Sequence, residues 1–391
     1  MQRLLLIIGF LLLFTVEILR VYFIMPFPGS QQTNTISFAY WLSGNIVWLR
    51  ILAFLLILFP VINIFKNGKK QARIILPSAL LLYAIVFFFI NFQAEADKMF
   101  YQPHQLVFAQ PGTNKIKGDK LVIGVAINGE AKAYPIQFIG YHHQVRDSVG
   151  HTPVIVTYCT VCRTGRAFSP EVRGKVETFR LVGMDHFNAM FEDATTKSWW
   201  QQATGVAVAG PLRGTALQEI PSRQSTLAAW LQQYPNSFIM QPDTLFADEY
   251  KDMANYDKGN GKSSLTKRDS LSWRSKSWVV GVKYNGESKA FDWNELVKSR
   301  IIQDSLRNIP VLLTLESDTA TFHVFDRRVK GKVLSFTKYN DEQIIDNTQS
   351  IWNMAGDCTN GILKGEKLQS LQAYQEFWHS WQTFHPETKK R

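Results

Sequence analysis

Three long apolar stretches open the chain, Leu4 to Met25, Phe38 to Phe65 and Ile74 to Phe92, and after them hydrophobic and polar residues alternate in short stretches. Each run supplies the ~20 residues a helix needs to cross a hydrocarbon core of ~30 Å, so three transmembrane helices are predicted. The first run begins after Arg3 but continues through Glu17 and Arg20 without a small-residue cleavage site, and it reads as a retained span. Glu17 and Arg50 fall inside spans, where charge is costly. Counted from the same ends of their helices at about 1.5 Å per residue, the two reach one depth, so a structural ion pair is predicted, either between these two or between Glu17 and Arg20 on one helix. A relay for ions or protons is the competing reading, and the scarcity of other polar residues in the spans speaks against it.

Beyond residue 93 the periodicity is mostly that of strands. Leu121 to Ile127, an Asn-Gly turn, then Ala131 to Ile136 predicts a hairpin. Pro153 to Tyr158 and Thr178 to Leu181 predict further strands, whereas helix is expected only in short pieces such as Ser225 to Gln233 and Leu371 to Gln382. An internal repeat organises this region. Gly124 to Ala133 recurs as Gly281 to Ala290, and Asp147 and Pro153 recur as Asp304 and Pro310 in the same register. Thr196, Ser198, Trp200, Gly205 and Gly210 likewise correspond to Thr348, Ser350, Trp352, Gly356 and Gly361. The expected fold is α+β and β-rich: a tandem, pseudo-symmetric duplicated outer domain preceded by three transmembrane helices. The boundaries read as an anchor over 1–93, a first copy over 94–242, a connector over 243–272 and a second copy over 273–391.

Charge changes this picture once it is located. The net charge is +11, and residues 1–93 contribute seven basic residues against the single acid Glu17. The run from Lys66 to Arg73 is strongly basic, whereas Pro26 to Ser37 carries no charge, so the basic loop is expected on the cytoplasmic side. The large C-terminal part then faces outward, into the periplasm if the membrane is a bacterial inner membrane. The remaining basic excess is spread thinly, without a basic stripe interleaved with aromatics, and nucleic acid is not an expected partner. A chain 46% hydrophobic and 19% charged is not disordered, and three Cys cannot staple a disulfide scaffold.

Candidate chemistry centres on Cys159-Thr160-Val161-Cys162. A C-x-x-C spacing serves a redox-active disulfide, a soft metal ion such as copper or zinc, or a plain structural disulfide. In the second copy the matching positions are Glu316 and Thr319, while His142 and His143 become Ser299 and Arg300. Joint loss of Cys and His is what a site kept in one copy would produce. No helix is predicted to start at Cys159, which argues against a thioredoxin-like arrangement. A second cluster comprises Asp193, Thr196, Ser198, Trp200 and Gln202, whose recurrence favours scaffolding; Asp193 and Gln202 are its candidates for function. Motifs for serine hydrolases, phosphate-binding loops and zinc proteases are missing from the sequence.

These residues together resemble the domain-of-unknown-function 3179 family. Its members show an Asn-Gly hairpin followed by Ala-Tyr-Pro, here Ala133-Tyr134-Pro135, then a His-containing segment ending in Asp, here His142 to Asp147. A Tyr-Cys-Pro-x-Cys motif follows, with Thr160 replacing the Pro here and His143 standing where an acidic residue is common. Asp193, Thr196, Ser198, Trp200, Gln202 and Gly205 match the closing signature. The resemblance spans roughly 110 to 390 and implies no established activity. The expectation is a membrane-anchored extracytoplasmic protein that binds a soft metal or carries out thiol redox chemistry through Cys159, Cys162 and His142. The alternative is a non-catalytic module that binds a small ligand or partner, with the sulfurs in a structural disulfide.

Overall fold

The computed structural model describes residues 1–391. Three long helices, Gln2–Tyr22, Ile36–Asn67 and Lys70–Phe92, are each long and apolar enough to cross a membrane. The expected basic loop between the second and third is almost entirely helical, with only Gly68 and Lys69 outside the two helices. Large apolar side chains such as Leu11, Trp48, Leu55 and Phe89 stay exposed, which fits helices suited to a hydrocarbon solvent. The faces that meet bury Leu13, Ala53, Ile57 and Tyr83.

The chain divides into two compact units. The first comprises Met1–Tyr101, Glu177–Gln201 and Val206–Ala216, which joins the helices to a four-stranded antiparallel sheet formed by Phe179–Asp185, Asn188–Asp193, Trp199–Gln201 and Ala207–Ala209. The sheet is tied to the turn after the first helix, where Met184 N–H donates to the Ile24 carbonyl at 2.7 Å.

The second unit, Gln102–Val176, Gln202–Gly205 and Leu217–Arg391, is β-rich with short helices. The predicted hairpin forms from Leu121–Ile127 and Glu130–Pro135, and Asn128 and Gly129 take φ values of 50° and 84°, as its tight turn requires. Ser222–Thr226 pairs antiparallel on one side of this hairpin and Phe238–Met240 pairs parallel on the other. The hairpin Trp278–Tyr284 and Glu287–Asp292 is flanked in the same manner by Ala373–Phe377 and Lys389–Lys390. Two further sheets run Gln144–Val149, Thr152–Cys159, Thr164–Phe168, Glu219–Ile220, and Ile301–Leu306, Ile309–Leu315, Phe322–Asp326, Gln369–Ser370. A fifth sheet contains Phe336–Lys338, Gln343–Asp346, Ile351–Asn353 and Cys358–Asn360.

The two expected helices are shorter than their sequence pattern indicates. They occupy Leu227–Gln233 and Trp378–Phe384, because the preceding Ser222–Thr226 and Ala373–Phe377 are claimed by sheet edges. Thr226 marks one boundary physically, its hydroxyl accepting from Ala229 N–H at 3.2 Å. Both helices press an indole onto a hairpin glycine. A Cβ on Gly124 would overlap Trp230, and one on Gly281 would overlap Trp381. The connector 243–272 carries a short helix, Ala247–Asp252, and two single turns.

Candidate functional site

In the second unit, Thr152–Cys159 and Thr164–Phe168 pair with Cys159 opposite Thr164, so Thr160 to Arg163 form a four-residue loop. Cys159 and Cys162 therefore stand three residues apart around a turn closed by Arg163 in the left-handed region (φ 56°). Both are thiols and both are 0% exposed. The loop backbone is held by groups from distant segments. Tyr256 Oη–H donates to the Thr160 carbonyl at 2.8 Å, and Phe377 N–H donates to the Cys162 carbonyl at 2.9 Å. Lys276 Nζ donates to the Val161 carbonyl at 2.8 Å, and His379 Nε2 lies 3.0 Å from the same oxygen.

Lys276 Nζ and His379 Nε2 are also 3.0 Å apart. Burial drives the Lys276 ammonium down to about 8, against the opposing pull of Cys162 and Cys159. Burial, then the neighbouring Lys276 charge, pushes the His379 imidazole down to about 4. Near neutral pH the arrangement is a cation beside two thiols with a neutral imidazole at its side. A positive charge there favours thiolate over thiol, the form that acts as nucleophile.

The next residues anchor the loop to the rest of the unit. Arg163, 1% exposed, donates from Nε to Gln375 at 2.9 Å and from its terminal nitrogens to the carbonyls of Tyr256 and Asp257 at 3.3 and 3.1 Å. Arg166 forms a buried ion pair with Glu376 at 2.6 Å, and the hydroxyls of Thr164 and Ser380 donate to the same carboxylate at 2.8 and 3.0 Å. Gln224 Nε2 donates to Gln375 at 2.9 Å, completing a polar seam.

His142 and His143 end the helix Ile136–His142, with His143 in the left-handed region at its C-cap. His142 Nε2 lies 2.6 Å from Tyr250 Oη and packs against the rings of Tyr141 and Phe246. His143 Nδ1 lies 2.9 Å from the Tyr141 carbonyl, and burial pushes this imidazole down to about 4. The expected convergence of Cys159, Cys162 and an imidazole into a copper or zinc site is not formed, since no group of three or more His, Cys, Asp or Glu side chains is placed to hold a metal ion.

The other candidates have identifiable partners. Asp147 accepts from Lys132 Nζ at 3.0 Å and Tyr134 Oη at 2.7 Å, and Asp304 accepts from Lys289 at 2.9 Å. In the first unit, Asp193 accepts from Thr196 Oγ1 at 2.6 Å, Ser198 N–H at 3.1 Å and Trp200 Nε1 at 2.9 Å. Burial acts to raise its pKa, but these bonds outweigh it and hold the carboxyl below its usual range. Ser198 Oγ accepts from Leu212 N–H at 3.0 Å. Asp346, Thr348, Ser350 and Trp352 make the same set of bonds in the second unit. Gln202, in the second unit, donates to Thr157 Oγ1 and to the Thr164 carbonyl, both at 3.1 Å.

Within the helices, Arg50 binds Glu17 through two nitrogens at 2.7 Å each, and Tyr83 and Asn91 donate to the same carboxylate at 3.1 and 3.0 Å. Every acceptor on Glu17 is thus directed at a neighbouring donor.

Lys276, His379, Arg163 and Glu376 were not singled out by sequence reasoning. Lys276 and His379 lie more than a hundred residues from the cysteines and belong to no motif; only the fold brings them to Val161.

No curated protein matches the chain, and no solved structure matches it. A family model does: residues 104–388 match the family described as "Protein of unknown function (DUF3179)". With that match running from before the first hairpin to just short of the last strand, through the cysteine loop and its lysine, the chain belongs to the DUF3179 family.

Proposed function

We propose that this chain is a membrane-anchored extracytoplasmic protein of two tandem copies of one unit, with thiol–disulfide exchange at the Cys159–Cys162 loop. Duplication is supported by the recurring order of strands around the two hairpins and by the recurring Asp193 and Asp346 turns. Outward orientation is supported by the basic residues between the second and third helices.

The observation that carries the redox reading is the Lys276 ammonium fixed on the loop at Val161, between the two cysteines in sequence. In the reducing direction, one loop thiolate attacks a partner disulfide, forming a mixed disulfide and releasing one partner thiolate. The second loop thiol loses its proton and attacks that mixed disulfide, closing Cys159 to Cys162 and releasing the second partner thiol. Two electrons pass from loop to partner, and the reverse sequence oxidises a partner dithiol. Because both sulfurs are buried, a partner protein gains access only when the loop is displaced.

Equilibration of the detergent-solubilised full chain in glutathione buffers, followed by alkylation and mass measurement, tests this. The expected result is one two-electron couple between ~−120 and ~−270 mV, the range of catalytic dithiols. Lys276→Met raises the thiol pKa and lowers the potential by roughly 30 mV for each tenfold shift in the thiol–disulfide equilibrium. Thiols that stay reduced in oxidising buffer, or a couple below ~−300 mV as in structural disulfides, would overturn the reading.

A further inference from the structure

A cavity of about 870 Å³ lies in the second unit, walled by the connector, the Arg163 end of the cysteine loop and the segment that starts the second hairpin. Its wall carries five cationic side chains and three acidic ones. Two of the cations are guanidiniums set against the same indole. The Cζ atoms of Arg163 and Arg268 lie 3.7 and 4.1 Å from the Trp278 ring centroid. Indole faces attract cations, but an aromatic quadrupole does not neutralise two charges.

Neither guanidinium has a carboxylate at ion-pair distance. Arg163 is satisfied by carbonyls and an amide, all uncharged, while being 1% exposed and so withheld from water. Arg268 donates to the Asn294 side chain at 2.7 Å, and its buried Nε has no hydrogen-bond partner. Trp278 Nε1, on a side chain 7% exposed, has none either. Asp257, on the cavity wall and electrostatically coupled to Arg163, is a poor counter-charge. Burial pushes its carboxyl up, one oxygen is used by Leu121 N–H at 3.1 Å, and the other has no partner. Buried cations are normally paired because desolvation is otherwise uncompensated; Arg163 is fully buried and Arg268 half-buried with its Nε shielded from water. Two together beside a cavity of ordinary ligand size, with donors left over, call for an anion.

We propose that this cavity is a binding site for a small organic or inorganic oxyanion, a carboxylate or a phosphate, that neutralises the Arg163–Trp278–Arg268 stack. The site does not depend on the cysteines, and its test leaves them intact. Calorimetric titration of the detergent-solubilised full chain with citrate in one arm and pyrophosphate in the other separates the two sources. Saturable binding in at least one arm is expected, weakening as salt rises and at least tenfold weaker in R268Q. Without ligand, R268Q should melt at the same temperature as the parent or higher, because it relieves two crowded like charges. Absence of saturable binding in both arms, equal affinity in R268Q, or a lower melting temperature for ligand-free R268Q would each overturn the proposal.

Discussion

Glu376 offers the sharpest test of how the second unit is held together. Its carboxylate, 1% exposed, is the ion-pair partner of Arg166, itself 4% exposed, at 2.6 Å. It also accepts from Thr164 and Ser380. Glu376→Gln keeps the volume and removes the charge, leaving a buried guanidinium with Glu219 at 3.4 Å and the Tyr374 ring at 3.5 Å as its remaining company. Removing one member of a buried pair costs about 3–5 kcal/mol. Glu219 is 37% exposed on its side chain and compensates only weakly, which places the expected loss near ~3 kcal/mol. Denaturant unfolding in mild detergent, followed by near-UV circular dichroism of the buried tryptophans, measures it. The double variant Arg166→Met with Glu376→Leu should lose less than the single one, since no charge is then stranded. A single-variant loss under ~1 kcal/mol, or a double variant as unstable as the single, would refute the reasoning.

Three further outcomes follow from particular contacts. Arg50→Met leaves the Glu17 carboxylate without its cation inside the helical bundle, and resistance to dodecyl sulfate unfolding should fall by about 3 kcal/mol, whereas unchanged resistance would show the pair to be dispensable. His143 is buried and its pKa falls from 6.5 to about 4, so its contribution is complete above pH ~6.5 and lost as pH falls toward 4. His143→Asn, which tolerates the left-handed backbone, should flatten the stability–pH slope there by up to ~1.4 kcal/mol per pH unit, and an unaltered slope would remove His143 from the acid response. Gly281→Ala drives a Cβ into the Trp381 indole and should cost about 1–3 kcal/mol in denaturant melts, with Gly124→Ala doing the same at Trp230; neutral substitutions would mean that the helices sit farther from their hairpins.

Much of the architecture was legible in the order of residue types. The three spans, the Asn-Gly hairpins and the twin Asp-Thr-Ser-Trp turns depend on local rules: length of apolar runs, positive φ at Asn-Gly, and side chains bonding their own neighbours. Helix starts were misjudged at Ser225 and Leu371 because a sheet edge far away in sequence captured the residues before Leu227 and Trp378. The site was less legible for the same reason. Cys159 and Cys162 were visible as a spaced pair, but an amine or imidazole carries no signal of which backbone oxygen it will meet. Lys276 and His379 converge on Val161 only in the tertiary structure, and the same holds for the two guanidiniums that meet at Trp278. Local chemistry and periodicity thus determined the elements, whereas long-range packing, which excludes water and brings distant charges within a few ångströms, decided which groups act on one another.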